Sequence, residues 1–287
     1  MSVAAAALLL LWQPAGAYDE PGCEVVLCGT RIARPADPTR VLPLAGEQGG
    51  LIRGAVAPGS RVSIDGKPVP VAPDGRLVLG LDRDQGREAR LVITMPDGTA
   101  REHRIEVAPR SWRIEHVNAA RRPGGPTEEF RRRREGELEL IRAARAIQSD
   151  SAGWTQDFIW PARGRISGRF GSQRIYRGEP GSYHAGVDVA AGAGAPVVAP
   201  ADGVVVLAAS EPFSLEGNLL IVDHGHGLNS AFLHLSRLDV RVGERVRQGQ
   251  AIGAVGATGR ATGPHLHWAL TWNGARLDPE RVAGPMP

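Results

Sequence analysis

Four stretches in the last third of the chain offer metal-type ligands: His184-Ala-Gly-Val-Asp188, Asp223-His224-Gly-His226, His234 and His265-Leu-His267. Six of the eight histidines fall there. Imidazole nitrogen and carboxylate oxygen are ligands that zinc accepts, and three protein ligands with one open position make the catalytic form of such a site. His184 and Asp188 are four apart, so an extended segment points both to one face. His265 and His267 are two apart, which likewise places both on one face of a strand. Two such pairs can close a site of two imidazoles and one carboxylate, with water in the fourth position at a pKa lowered to about 7. The spare histidines suit base or oxyanion work near neutral pH. Spacing alone leaves open which of His265 and His267 binds metal, and whether His224, His226 or His234 completes the set.

The elements that must position these residues are mainly strands. From Trp154 to Pro287, runs such as Gly203-Val-Val-Val-Leu207, Asn218-Leu-Leu-Ile-Val222, Ser230-Ala-Phe-Leu233, Gln250-Ala-Ile-Gly-Ala-Val255 and His267-Trp-Ala-Leu-Thr271 are apolar and rich in β-formers. Gly-rich turns separate them, and the region 154–287 is expected to be one antiparallel β domain. Asp223-His-Gly-His-Gly227 is expected to be such a turn, with its polar side chains structural. Residues 49–108 alternate in short runs punctuated by Asp65-Gly66, Asp74-Gly75 and Asp97-Gly98, a hairpin signal because both residue types tolerate positive φ. This predicts a small antiparallel β domain of sandwich type. Residues 109–153 are expected to form a helical connector, its helix lying between Pro126 and Gln148. Thr127 can cap it, Glu128 and Glu129 suit its first turn, and Phe130, Leu138, Ile141, Ala144 and Ile147 give a ragged apolar face. The Arg131–Arg134 run is followed by Glu135, Glu137 and Glu139, so salt bridges on a solvated helix face are expected rather than nucleic-acid binding.

Composition narrows the class. Gly and Pro are plentiful and aromatics few among 287 residues, favouring short strands joined by turns. The net charge is +3, and Lys67 is the sole lysine among 34 basic residues, an arginine bias better explained by genome composition than by a polyanion partner. Residues 1–17 read as a secretory signal: an apolar run from Val3 to Trp12, then Ala15-Gly-Ala17 for cleavage. No segment has the length and hydropathy to span a membrane. Residues 18–48 hold four prolines and little periodicity, as a linker does. Cys23 and Cys28 would pair in an oxidising compartment, lipidation of Cys23 being the alternative. Gly256-Ala-Thr-Gly-Arg260 lacks the lysine and following helix of a phosphate loop, and no HExxH occurs. Val242 to Gln250 has the look of a biotinyl or lipoyl carrier, but the modified lysine is missing.

Several of these segments together resemble the successive signatures of the lysostaphin-like (LytM-type) peptidoglycan zinc metalloendopeptidases. They are Gly186-Val-Asp188, Pro200-Ala-Asp-Gly203, Phe232-Leu-His-Leu-Ser236, Val242 to Gln250 and Gly256-Ala-Thr-Gly-Arg-Ala-Thr-Gly-Pro-His-Leu-His267. The likeness covers residues 165–282. It implies a compact, mainly antiparallel β domain with an open groove, one zinc per chain on His184, Asp188 and His267, and catalytic roles for His234 and His265. It also implies an exported, periplasmic enzyme that cuts peptide cross-links of the wall, D-Ala–diaminopimelate bridges being the expected bond. Two positions depart from many relatives: Phe232 stands where a tyrosine is common, and Trp268 where phenylalanine is. The competing function is a non-catalytic member that activates a wall amidase; such members typically lack metal ligands, which this chain keeps.

Overall fold

The computed structural model describes residues 40–120, 125–209 and 211–287. The leader expected at residues 1–17 and the cysteines Cys23 and Cys28 lie outside the described residues. No helix among the described residues is long and apolar enough to cross a membrane.

Residues 40–108 form two sheets. One joins Arg40–Val41, Leu51–Val56 and Arg76–Gly80; the other runs Ala45–Glu47, Ala100–Ala108, Glu88–Thr94, Arg61–Ile64 and Lys67–Val69. Asp65 and Gly66 take φ of 48° and 77°, the paired positive values of a tight hairpin turn. At the other two Asp-Gly pairs only the glycine is left-handed. Two details differ from the sequence reading. Residues 40–41 and 45–47 are strands rather than linker, too short to carry alternation, and Ala45–Glu47 runs parallel to its neighbour.

The larger sheet has eight antiparallel strands and carries the ligand-bearing residues. Its order is Arg165–Gly168, Val187–Ala190, Leu266–Trp272, Leu228–Leu235, Asn218–Asp223, Gly203–Ala208 and Arg245–Val246, with Ala275–Leu277 also paired to Leu266–Trp272. The central strands are buried on both faces and read as near-continuous apolar runs. Leu219, Leu220, Ile221, Val222, Phe232, Leu266, Trp268 and Leu270 are all at most 1% exposed. The apolar cluster beneath this sheet is continuous with that of residues 40–108, uniting Leu77, Leu91 and Ile105 with Val187, Phe232 and Trp268.

The segment between the two regions does more than connect. Ile114–Val117 pairs in parallel with Gln173–Tyr176. The helix Glu128–Ala146 starts where Thr127 accepts a hydrogen bond from the Phe130 N–H at 3.1 Å, with two glutamates in its first turn. Its inward stripe is Arg134, Glu137, Ile141 and Ala144, spaced for one helix face. Ile141 and Ala144 join Val206, Leu219 and Ile221 in a second apolar cluster. Leu138 and Ile147, expected on the apolar face, are exposed. Glu137, expected on a solvated face, is buried because the stripe ends in an ion pair.

Candidate metal centre and catalytic residues

Asp188 and His267 stand directly opposite each other on neighbouring strands. Cross-strand partners of this kind lie close enough for short side chains to meet, and His267 Nδ1 is 2.8 Å from Asp188 Oδ1. His184 is not on the strand with Asp188, so the four-residue extended spacing is not what joins them. It sits in the preceding loop, whose backbone is pinned by hydrogen bonds from the His184 N–H to Ser172 and from the Gly171 N–H to the His184 carbonyl. From there His184 Nε2 reaches both Asp188 Oδ1 and His267 Nδ1 at 3.0 Å.

The donor chemistry fits a cation. The Arg169 carbonyl, 3.1 Å from His184 Nδ1, can only accept, so the ring proton is on Nδ1 and Nε2 presents a lone pair. A carboxylate oxygen and a second imidazole nitrogen face that lone pair, so three acceptor-type atoms share one point. Ligands about 2.0–2.1 Å from a tetrahedral ion lie roughly 3.3 Å apart, close to the 2.8–3.0 Å found here. Among the described residues His184, Asp188 and His267 form the only group of this type. Their side chains keep 25%, 22% and 12% exposure, so the point opens to solvent and a fourth ligand can come from outside the protein.

Burial opposes the charge of Asp188, yet the adjoining His184 and His267 imidazoles outweigh it and hold the carboxyl well below its ordinary range. Burial also works against protonation of His184, but Asp188 beside it leaves the net shift upward. His267 moves down, chiefly through burial. Room for the carboxylate comes from its strand partner Gly168, where a Cβ would stand 2.3 Å from Asp188 Oδ2.

His234 and His265 adjoin this point. Their ring centroids are 4.8 Å apart, and the His234 ring lies 6.3 Å from that of His267. His265 Nε2 is 3.8 Å from Asp188 Oδ1. Each ring donates its Nδ1 proton to a backbone carbonyl, His234 to Thr258 at 2.9 Å and His265 to Gly263 at 2.8 Å. Each therefore keeps Nε2 as a base. Burial, with His265 and His267 alongside, lowers the His234 pKa against the pull of the Thr258 carbonyl, so its neutral form dominates near pH 7.

The position of His234 depends on a break in the sheet. Leu220 pairs with Phe232 and Asn218 with Leu235, so two residues, Leu233 and His234, oppose Leu219 alone. His234 is the extra residue of this bulge and adopts φ 64°, in the left-handed region that few non-glycine residues occupy. Bulges of this kind re-aim a side chain. Phe232, two residues earlier, is fully buried.

The Asp223-His224-Gly-His226 segment serves the frame. His224 is fully buried and lies in a chain of hydrogen bonds: Trp268 Nε1 donates to Ser230 Oγ (3.3 Å), Ser230 to His224 Nε2 (2.8 Å), and His224 Nδ1 to the Asp202 carbonyl (2.8 Å). Asp223 accepts from the Ser149 N–H and hydroxyl at 2.7 and 2.6 Å, and His226 stacks on Trp154. This turn fastens the chain entering the larger sheet.

Burial pushes the His224 pKa down to about 4, against an ordinary 6.5. The unfolded chain then binds more protons between those values, so stability is complete above pH 6.5 and falls as acid is added, levelling near pH 4. The loss from this residue is on the order of 3 kcal/mol. Urea melts from pH 7 to 4 should show it, and His224→Gln should flatten the slope. An equal slope in the variant would exclude His224 as its source.

The model of peptidase family M23 matches residues 182–279. Peptidoglycan DD-endopeptidase ShyA of Vibrio cholerae is 39% identical over 126 residues, 42% of this chain and 28% of the relative. DD-carboxypeptidase/endopeptidase Mpg of Neisseria meningitidis is 41% identical over 127 residues, 43% of this chain and 28% of the relative. The chain thus spans little more than a quarter of those relatives' length. A crystal structure from Pseudomonas aeruginosa described as a peptidase M23 aligns over 83% of this chain and 95% of its own, at 31% identity and a TM-score of 0.66. With that agreement along both chains, and the family match falling on the ligand-bearing strands, the protein belongs to peptidase family M23.

Proposed function

We propose that the protein is a zinc endopeptidase that hydrolyses peptide cross-links of bacterial peptidoglycan. The observation that carries this is the convergence of His184, Asp188 and His267 beside two tautomer-locked histidines. Two relatives named for peptidoglycan or D,D-peptide cleavage support the substrate. His184 Nε2, Asp188 Oδ1 and His267 Nδ1 would hold one zinc ion, which supplies Lewis acidity and brings water to a pKa of about 7.

The chain's own residues handle the protons. His234 and His265 each offer Nε2 next to that point, one to take the proton of the attacking water and return it to the leaving amine. The other, once protonated, faces the developing oxyanion. The Thr258 and Gly263 carbonyls fix which nitrogen does this work. Amidase-activating members typically lack metal ligands, whereas all five side chains are present and adjacent here. The apolar run at residues 3–12 supports export to the periplasm, with residues 40–108 and 109–153 as a front β domain and connector to the peptidase domain 154–287.

Purified chain is expected to bind one zinc per molecule by elemental analysis and to release cross-linked fragments from sacculi. A chelator should stop release and added zinc restore it. Mass spectrometry of the products identifies the bond. A zinc-loaded protein that leaves all cross-links intact overturns the proposal.

A further inference from the structure

His234 faces a mechanical problem. The bulge takes its N–H out of the strand ladder, and its left-handed backbone is one that a non-glycine residue holds only under constraint. We propose that Arg134, Glu137 and Glu216 form a positioning device that sets His234 from the helix Glu128–Ala146; this rests on the catalytic reading of His234 above.

The device starts on the helix. Glu137 accepts from the Ser214 N–H (2.6 Å), Ser214 Oγ (2.5 Å), Arg133 Nε (3.0 Å) and Arg134 Nη1 (3.1 Å). Arg134 forks onto both carboxylate oxygens of Glu216 at 2.6 and 2.7 Å. Arg133 also donates to the Pro212 carbonyl at 2.7 Å. Residues 212, 214 and 216 are thereby tied to one helix turn. The side chains of Arg134, Glu137 and Glu216 are 17%, 8% and 14% exposed, where a paired fork is specific and loss of one partner leaves the other charge poorly solvated. Ion pairs on an open helix face would need neither this burial nor this convergence on a single loop.

That loop grips His234 twice. It closes on itself through reciprocal backbone hydrogen bonds between Phe213 and Gly217, and the Glu216 carbonyl then accepts the His234 N–H at 2.8 Å, replacing the lost ladder partner. Gly217 lies bare against Thr258, where a Cβ would come within 2.2 Å of Oγ1. Thr258 Oγ1 accepts from the Asn218 N–H and donates to the Leu235 carbonyl, both at 2.9 Å. The Thr258 carbonyl in turn holds the His234 ring. The main chain and imidazole of His234 are thus both referred to a loop whose outer end is clamped by Arg134 and Glu137.

The test uses full-length, zinc-loaded protein and a purified cross-linked muropeptide dimer. Arg134→Ala and Glu216→Gln are expected to lower kcat about 10- to 100-fold, the scale of a small misplacement of a catalytic group, with KM and bound zinc unchanged. Amide exchange read by mass spectrometry should quicken in the peptide containing His234 while the Leu266–Trp272 strand stays protected. Arg134→Lys should recover only part of kcat, because an ammonium cannot fork. Arg142→Ala, which loses an exposed pair with Glu139, should behave as wild type. Wild-type kcat and unchanged exchange in Arg134→Ala, or a fall in melting temperature alone, overturns the proposal. If Arg134→Ala does not fold, Glu216→Gln decides, since it preserves size and leaves the helix packing intact. An inactive wild-type enzyme would instead refute the catalytic reading, and exchange at His234 would still report on the positioning.

Discussion

Asp188→Asn is expected to remove bound zinc and to lower muropeptide release by about 10³-fold or more. The arithmetic follows from what the carboxylate does. It is the only anion among the three donors, and one of its oxygens meets both imidazoles at 2.8–3.0 Å. An amide of the same shape offers a neutral oxygen, or an N–H that repels a cation, so affinity falls. The several kcal/mol that a Lewis acid provides in the transition state vanish with it, and 4 kcal/mol corresponds to roughly 10³ in rate. His184→Ala should behave similarly, because its Nε2 closes the same triangle. Zinc by elemental analysis and fragment release from sacculi check both variants. If Asp188→Asn keeps full zinc and full activity, the ion does not sit where these three side chains meet. Gly168→Ala tests the same idea more gently: its Cβ would press on the carboxylate and should weaken zinc retention with no ligand altered.

The sequence showed the clustered His and Asp side chains more clearly than the frame that holds them. His265 and His267 were legible because a two-residue spacing in extended chain has one outcome, and both face the Asp188 point although His265 lies one residue ahead of the strand Leu266–Trp272. The His184–Asp188 spacing led to the correct neighbours by an inexact route, since His184 projects from a loop pinned by Ser172 and Gly171. Nothing in Phe232-Leu-His-Leu235 announces a bulge, because an extra residue in one strand is a property of the pairing, not of either strand alone. The turn at residues 223–227 was legible as structural from its glycines, but its hydrogen-bonded route to Trp268 joins residues 66 positions apart and leaves no local signal. The helix was placed from its cap and period. Its Arg134 and Glu137 looked like surface charge because pattern reading assigns charged side chains to solvent, whereas here each has a distant partner.

His234→Ala and His265→Ala should separate binding from chemistry: both are expected to keep one zinc per chain yet lose about 10²- to 10⁴-fold in turnover. Neither ring belongs to the triangle of donors, and His265 Nε2 lies 3.8 Å from the nearest ligand oxygen. The loss therefore reflects proton transfer and charge stabilisation. The double variant should lose little more than the worse single one if the two rings act as a unit, because removing either stops the same step. Losses that multiply would instead assign them independent jobs. His234→Gly adds a further discrimination. Glycine adopts φ 64° without strain, so this variant keeps the bulge at least as comfortably as alanine while lacking the imidazole. If activity tracked bulge geometry, glycine would outperform alanine; if it tracks the imidazole, both fall to the same floor with zinc still bound. Retention of near-wild-type turnover by either variant would remove His234 from the reaction, and the clamp on its backbone would then need another purpose.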